Sequence, residues 1–204
     1  MTENNFQILI ATKNSGKVLE LKNLLADLPV ELLNLKDFPN IVEAEETGAT
    51  FIENSALKAE SYARQTGIFA LADDSGLEVA ALGGAPGIYS ARYAGETASD
   101  ETRIEKLLNE ISRSGNDDRR ARFVCAIAIA NGNGEIIFTA EDYCEGEIAF
   151  EPRGRNGFGY DPVFTPSGFD QTFGELSEPV KRKISHRARA LVKIIRYLRD
   201  FIAV

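Results

Sequence analysis

The chain has 204 residues, 44% of them hydrophobic and 26% charged, which suffices for one well-cored domain and is ordinary for a globular protein. With 23 Lys+Arg against 31 Asp+Glu, the net charge of −8 argues against general binding to a nucleic-acid backbone. No apolar run approaches the roughly 20 residues that span a bilayer, the N-terminus lacks a secretory signal, and two widely separated cysteines, Cys125 and Cys144, fit a reduced cytoplasmic setting without membrane contact.

Residues 6–11 read as a first strand, followed by a polar turn and a helix carrying Val18, Leu21, Leu24, Leu25 and Leu28 on one side. Residues 30–35 form a second strand. Thr50 and Glu53 are spaced as a capping box, so a helix runs on to Thr66 with Ile52, Ala56, Ala59 and Ala63 as its buried stripe. Residues 68–71 form a short buried strand that ends in Asp73, Asp74, Ser75 and Gly76, where glycine lets the chain turn sharply. A glycine-rich loop at 83–87 precedes a helix over 99–111 with Ile104, Leu107, Leu108 and Ile111 inward. Phe123, Cys125, Ile127 and Ile129 alternate as in a strand, Asn131-Gly132-Asn133-Gly134 is a hairpin turn, and 136–143 is the returning strand. Ser185 caps a last helix bearing Leu191, Ile194, Ile195, Leu198 and Phe201. Helices mixed with βα units and one long hairpin mean an α/β protein with a mixed sheet. No repeat, low-complexity tract or long linker divides it, so residues 1–204 read as one domain.

Five segments carry chemistry. Paired acids at a rigid strand end suit a hard divalent cation, or a water that must lose its proton. The first βα turn, Ala11-Thr12-Lys13-Asn14-Ser15-Gly16-Lys17, offers helix N-terminal amides and two lysines to a phosphate. It is not a Walker A loop, because Val18 follows Lys17 where Ser or Thr is required. Glu43, Glu45 and Glu46 precede the capped helix, and a third carboxylate from this run would complete a magnesium site. Residues 153–162 set two aromatics among glycines beside a basic pair, so that a flat base can lie against a ring. Ser185-His186-Arg187 holds the sole histidine, within a stretch (181–199) that has eight Lys/Arg and no acid.

In order and spacing these segments resemble the inosine triphosphate pyrophosphatase family over nearly the whole chain. The resemblance rests on Ala11–Lys17, Glu45-Glu46-Thr47-Gly48, Phe51-Ile52-Glu53-Asn54-Ser55-Ala56-Leu57-Lys58-Ala59, Ala72-Asp73-Asp74-Ser75-Gly76-Leu77, the 83–93 stretch, Gly157-Phe158-Gly159-Tyr160-Asp161-Pro162 and Ser185-His186-Arg187. Lys13 stands where some members carry glycine, and Cys144 where some carry tryptophan. The resemblance implies a long mixed sheet flanked by helices, two lobes with the active site in the cleft between them, a homodimer and magnesium dependence. It implies hydrolysis of ITP, dITP and XTP between the α- and β-phosphates, which removes deaminated purines from the nucleotide pool.

On that reading Asp74 is the general base. An unperturbed Asp, with a pKa of about 3.9, needs help from burial or from the adjacent Asp73, unless bound magnesium acidifies the water instead. Glu45 and Asp74 are the metal ligands, with Asp73 as second choice. Thr12, Lys13, Asn14, Ser15, Gly16 and Lys17, with Lys58, hold the phosphate tail, and Ser75 orients the substrate. Phe158, Gly159, Tyr160, Asp161, Lys181, His186 and Arg187 surround the purine and sugar. Hypoxanthine and xanthine present a 6-oxo acceptor where adenine presents a donor. A donor from His186, Arg187 or a backbone N–H would therefore favour them, at about 1–3 kcal/mol per unmatched partner.

Overall fold

A computed structural model describes residues 6–202. Six strands form one mixed sheet in the order β2-β1-β3-β4-β5-β6. They are β1 (Phe6–Ile10), β2 (Val30–Asn34), β3 (Phe69–Val79), β4 (Arg120–Ala130), β5 (Ile136–Ile148) and β6 (Phe164–Pro166). β1 runs parallel to β2 and β3, whereas β5 and β6 are antiparallel. The helices are α1 (Ser15–Leu25), α2 (Phe51–Thr66), α3 (Asp100–Ser114), α4 (Glu178–Ile184) and α5 (His186–Ile202). The expected mixed α/β sheet is borne out.

The chain divides into two compact units, each built from separate segments. One takes the chain up to Asp74, Cys125–Asp142 and everything from Arg187 onward; the other takes Ser75–Val124 and Tyr143–His186. In the first unit, strand alternation sorts side chains to two sheet faces. Ile8, Ile10 and Leu71 pack with Leu21 and Leu25 of α1 and with Leu191, Ile194 and Leu198 of α5. Leu9, Ala11, Ala70 and Ala72 pack with Ala59, Tyr62 and Ala63 of α2. The second unit has its own core, where Leu77, Val79, Phe123, Phe164 and Phe173 meet Ile104, Leu107 and Ile111 of α3.

Sequence signals explain most ends. Asn14 caps α1 by accepting from the Lys17 N–H, Ser99 caps α3, and Gly115 closes α3 with φ 66°. At the hairpin, Gly134 takes φ 82° and donates to the Asn131 carbonyl at 2.8 Å. Three expectations are corrected. The acids do not sit on a turn: β3 runs on through Asp73, Asp74 and Gly76 to Val79, past the end of its β1 pairing at Leu71, because β4 lies along its other side and supplies pairing that local composition does not reveal. Ile52 is 37% exposed and lies off the buried face of α2, which runs through Phe51, Ser55, Lys58, Ala59, Tyr62 and Ala63. β5 extends to Ile148, five residues past the expected end. The short β6 and α4 have no counterpart in the sequence reading.

Candidate active site

Strand alternation that sorts the core also separates the two aspartates. Asp73 shares the parity of Leu71 and meets α1 and α5; Asp74 shares that of Ala72 and meets α2. Asp73 is fully buried. Its Oδ2 lies 3.1 Å from Lys17 Nζ and accepts from the Arg187 guanidinium at 3.1 and 3.3 Å. Burial alone would raise its pKa, but Lys17, Arg187 and Lys58 outweigh that and hold the carboxyl below the usual range. Asp73 is therefore a fixed negative charge at neutral pH. Arg187 is 1% exposed, and it also pairs with Glu20, one turn beyond Lys17 on α1.

Asp74 stands in a different field. Its Oδ1 accepts from Lys58 Nζ at 3.2 Å, while its Oδ2 is buried with no hydrogen-bond partner among the described residues. Burial raises its pKa, Lys58 and Lys17 pull the other way, and Glu46 adds to the rise. The like charge that helps is thus Glu46 rather than the adjacent Asp73, whose side chain the pleat sends to the other face. Lys58, buried on α2, bridges Asp74 and Glu46, the latter at 2.9 Å. Burial would lower its pKa, yet Asp74, Glu46 and Asp73 keep it raised and charged.

The acidic loop is fixed onto the first turn of α2. The Gly48 N–H donates to Asn54 Oδ1 at 2.8 Å, and the Ala49 N–H donates to Glu53 Oε2 at 2.7 Å. A Cβ on Gly48 would stand 2.7 Å from Glu53 Cβ and 2.8 Å from Asn54 Oδ1, so glycine permits this approach. Of the acidic run, Glu46 is half-buried beside Lys58, Glu45 is exposed, and Glu43 pairs with the exposed Lys13 at 2.8 Å.

At the phosphate turn, a helix leaves its first four N–H groups without intrahelical partners, and Asn14 caps that of Lys17 at 3.1 Å. Thr12 Oγ1 accepts from the Asn14 N–H at 3.3 Å, and Ser15 and Gly16 open the helix. The first unit thus brings together Thr12, Asn14–Lys17, Lys58, Asp73, Asp74 and Arg187. No three His, Cys, Asp or Glu among the described residues form a closed metal cage. Magnesium does not require one, since it binds through one or two carboxylates, waters and substrate phosphates. The unpartnered Asp74 Oδ2 with Glu46 nearby fits that donor set.

The second unit holds the aromatic residues. Gly157 takes φ 76° and its absent Cβ would fall 1.9 Å from Asp161 Oδ2, so only glycine lets this carboxylate fold back. Asp161 Oδ2 accepts from the Phe158 N–H at 2.8 Å and from Lys181 Nζ at 2.5 Å. Lys181, buried, lies 4.9 Å from the centre of the Phe158 ring. The Tyr160 hydroxyl donates to the Ser90 carbonyl at 3.0 Å, and burial raises its pKa. His186 stacks on Phe123 with ring centres 4.7 Å apart and 12° between planes. Ser75 is half-buried at the start of this unit. The expected base-binding set thus splits: Phe158–Asp161, Lys181 and His186 belong here, while the Arg187 guanidinium is engaged with Asp73 and Glu20 in the other unit. Glu20, Asn54 and Asp100 were not singled out from sequence as site residues, and Glu46 was named only as one of the acidic run. The signal for two of them was helical spacing, Glu20 three residues after Lys17 and Asn54 four before Lys58.

Comparison with known proteins meets this geometry. The Ham1 family model matches residues 8–197. The dITP/XTP pyrophosphatase of Bacillus licheniformis is 51% identical over 188 residues, covering 92% of this chain and 95% of the relative. That of Syntrophobacter fumaroxidans is 53% identical over 189 residues, covering 93% and 80%. A HAM1 protein from Coxiella burnetii superposes with a TM-score of 0.88 at 44% identity, over 96% of this chain and 99% of that one. The motif resemblance, the mixed sheet and the whole-length match converge: the chain belongs to the Ham1 family.

Proposed function

We infer that the chain hydrolyses the deaminated purine nucleotides dITP, XTP and ITP to a monophosphate and pyrophosphate, a reading supported by relatives named dITP/XTP pyrophosphatases. The observation behind this reading is the contrast across β3. One aspartate is neutralised by cations, and its neighbour keeps a raised pKa and an unpartnered buried oxygen. A general base needs a pKa closer to the working pH than a free carboxylate has, and Asp74 is shifted in that direction.

In the proposed reaction a water oxygen bonds to the α-phosphorus, the bond to the bridging oxygen breaks, and pyrophosphate leaves. Asp74 Oδ2 takes the proton of the water. Lys58 holds Asp74 in place and offsets charge that develops on the phosphates. The amides of the 14–17 turn, with Lys17 and Lys13, take the phosphate tail, and Ser75 orients it. Phe158 supplies a face for the base, and Tyr160, Asp161, Lys181 and His186 shape its surroundings. Magnesium belongs to the proposal. Asp74 and an acid of the 43–46 run would hold it, Glu45 from the motif or Glu46 from its place beside Lys58. Bound there it would lower the pKa of a coordinated water and neutralise phosphate charge. A homodimer in the cytoplasm, its two units acting as a single domain on the free nucleotide pool, completes the reading.

The test incubates the purified chain with dITP, XTP, dGTP and ATP in ¹⁸O-water, with and without magnesium. Label in the monophosphate, from dITP and XTP only and only with the metal, is the expected result. Release of single phosphates removes the assignment, and turnover that ignores magnesium removes the metal. Sedimentation as a single monomeric mass at micromolar concentration removes the dimer.

A further inference from the structure

The aromatic loop is anchored from outside itself by a residue that no motif includes. Phe158 and Asp161 close on each other within the loop, and Tyr160 ties to Ser90. Gly159, set between the two rings, donates its N–H to Asp100 Oδ2 at 2.6 Å across 59 residues of sequence. Asp100 opens α3, where a negative charge suits the helix N-terminus. Its other oxygen is held by Arg103 one turn on, and the same guanidinium donates to the Ala91 carbonyl at 2.6 Å. A carboxylate accepting a backbone N–H is a strong, directional tether. Arg103 sets its direction, and through Ala91 the same guanidinium reaches the turn that also receives Tyr160 at Ser90.

We propose that Asp100 is a positioning residue for purine selection: by holding the Gly159 N–H it fixes the Phe158 ring and its neighbours in the register that separates a 6-oxo from a 6-amino base. This rests on the reading of the 157–161 loop as the base-binding loop. Base discrimination relies on donors and rings held to within a fraction of an ångström, so loosening the tether erodes the ratio of correct to incorrect substrate before it slows the chemistry.

The measurement is the ratio of kcat/KM for dITP to that for dATP. In Asp100→Ala the ratio falls about tenfold, through KM for dITP, with kcat for dITP kept within about threefold. Asp100→Asn retains an amide oxygen able to accept from Gly159 and keeps the ratio within about threefold. An unchanged ratio in Asp100→Ala overturns the proposal, as does an equal loss in kcat for both nucleotides with a lowered melting temperature. Should Asp100→Ala fail to fold, Arg103→Met removes only the orienting partner and lowers the ratio about threefold; no change in it overturns the proposal. Phe158→Ala separates the two levels. A ratio lost there but kept in Asp100→Ala sinks this inference alone, whereas a ratio unchanged in Phe158→Ala removes the base-loop reading and this inference with it.

Discussion

Arg187→Met tests whether this arginine is a buried counter-ion or a base-binding group. The guanidinium is 1% exposed and Asp73 is fully buried, so the substitution leaves a carboxylate in the interior. Removing one partner of a buried pair costs about 3–5 kcal/mol. Here Lys17 remains 3.1 Å from Asp73 and shares part of the charge, which sets the expectation at the lower end, about 3 kcal/mol. For a chain of this length that is a fall of about 6–12 °C in melting temperature. Urea unfolding at pH 7 reads it directly, and a cycle with Asp73→Asn should show a coupling above about 1 kcal/mol. The sign with pH is fixed. Asp73 has a depressed pKa in the folded state, so its contribution is complete above the unfolded value of about 3.9 and fades as pH falls through the range below. The gap between wild type and variant therefore narrows in acid. A melting temperature within 2 °C of wild type together with a raised KM for dITP would return Arg187 to the base site and refute the reasoning.

Asp74→Asn abolishes turnover, by about 10²–10⁴-fold or more, while nucleotide binding persists; near-normal turnover would remove Asp74 as the base. In the wild type, kcat falls on the acid side at a pH above the ordinary carboxylate value of about 4, because burial raises the Asp74 pKa. A pH–rate profile flat down to 4 would contradict this. Gly48→Ala meets Glu53 and Asn54 at under 3 Å, so it costs about 1–3 kcal/mol in thermal unfolding and lowers activity by displacing Glu46. Neither thiol reacts with iodoacetamide in the native protein at pH 7. Both cysteines are buried, and burial pushes the Cys125 thiol up to about 12. Rapid labelling without denaturant would contradict the packing.

The elements that follow local rules were legible in the sequence. Thr50 announced the start of α2 through its side chain, Gly134 announced its turn, and the periodicity of α3 and α5 placed their apolar faces. What failed was set by distant partners. Asp-Asp-Ser-Gly has the composition of a turn, yet the neighbouring β4 holds it extended, and that extension is what parts the two acids. Arg187 and Asp73 are 114 residues apart, and nothing local marks one as the partner of the other. Asn54 is a polar residue on the buried face of α2, and a hydrophobic stripe does not mark it. Glu45 and Glu46 are adjacent in a loop, where no periodicity says which carboxylate faces Asp74.

β4 has a consequence beyond the site. From Phe123 to Ala130, in the run Phe-Val-Cys-Ala-Ile-Ala-Ile-Ala, every residue is buried, the last six completely, and β3 and β5 occupy both edges. The native fold can thus carry eight consecutive uncharged, apolar residues without hazard. Any state in which β5 peels away exposes a strand with no charge or proline to interrupt pairing with another copy. The upstream arginines Arg119, Arg120 and Arg122 are the gatekeepers of that segment, and replacing them by neutral residues should lower the yield of refolding before it touches catalysis.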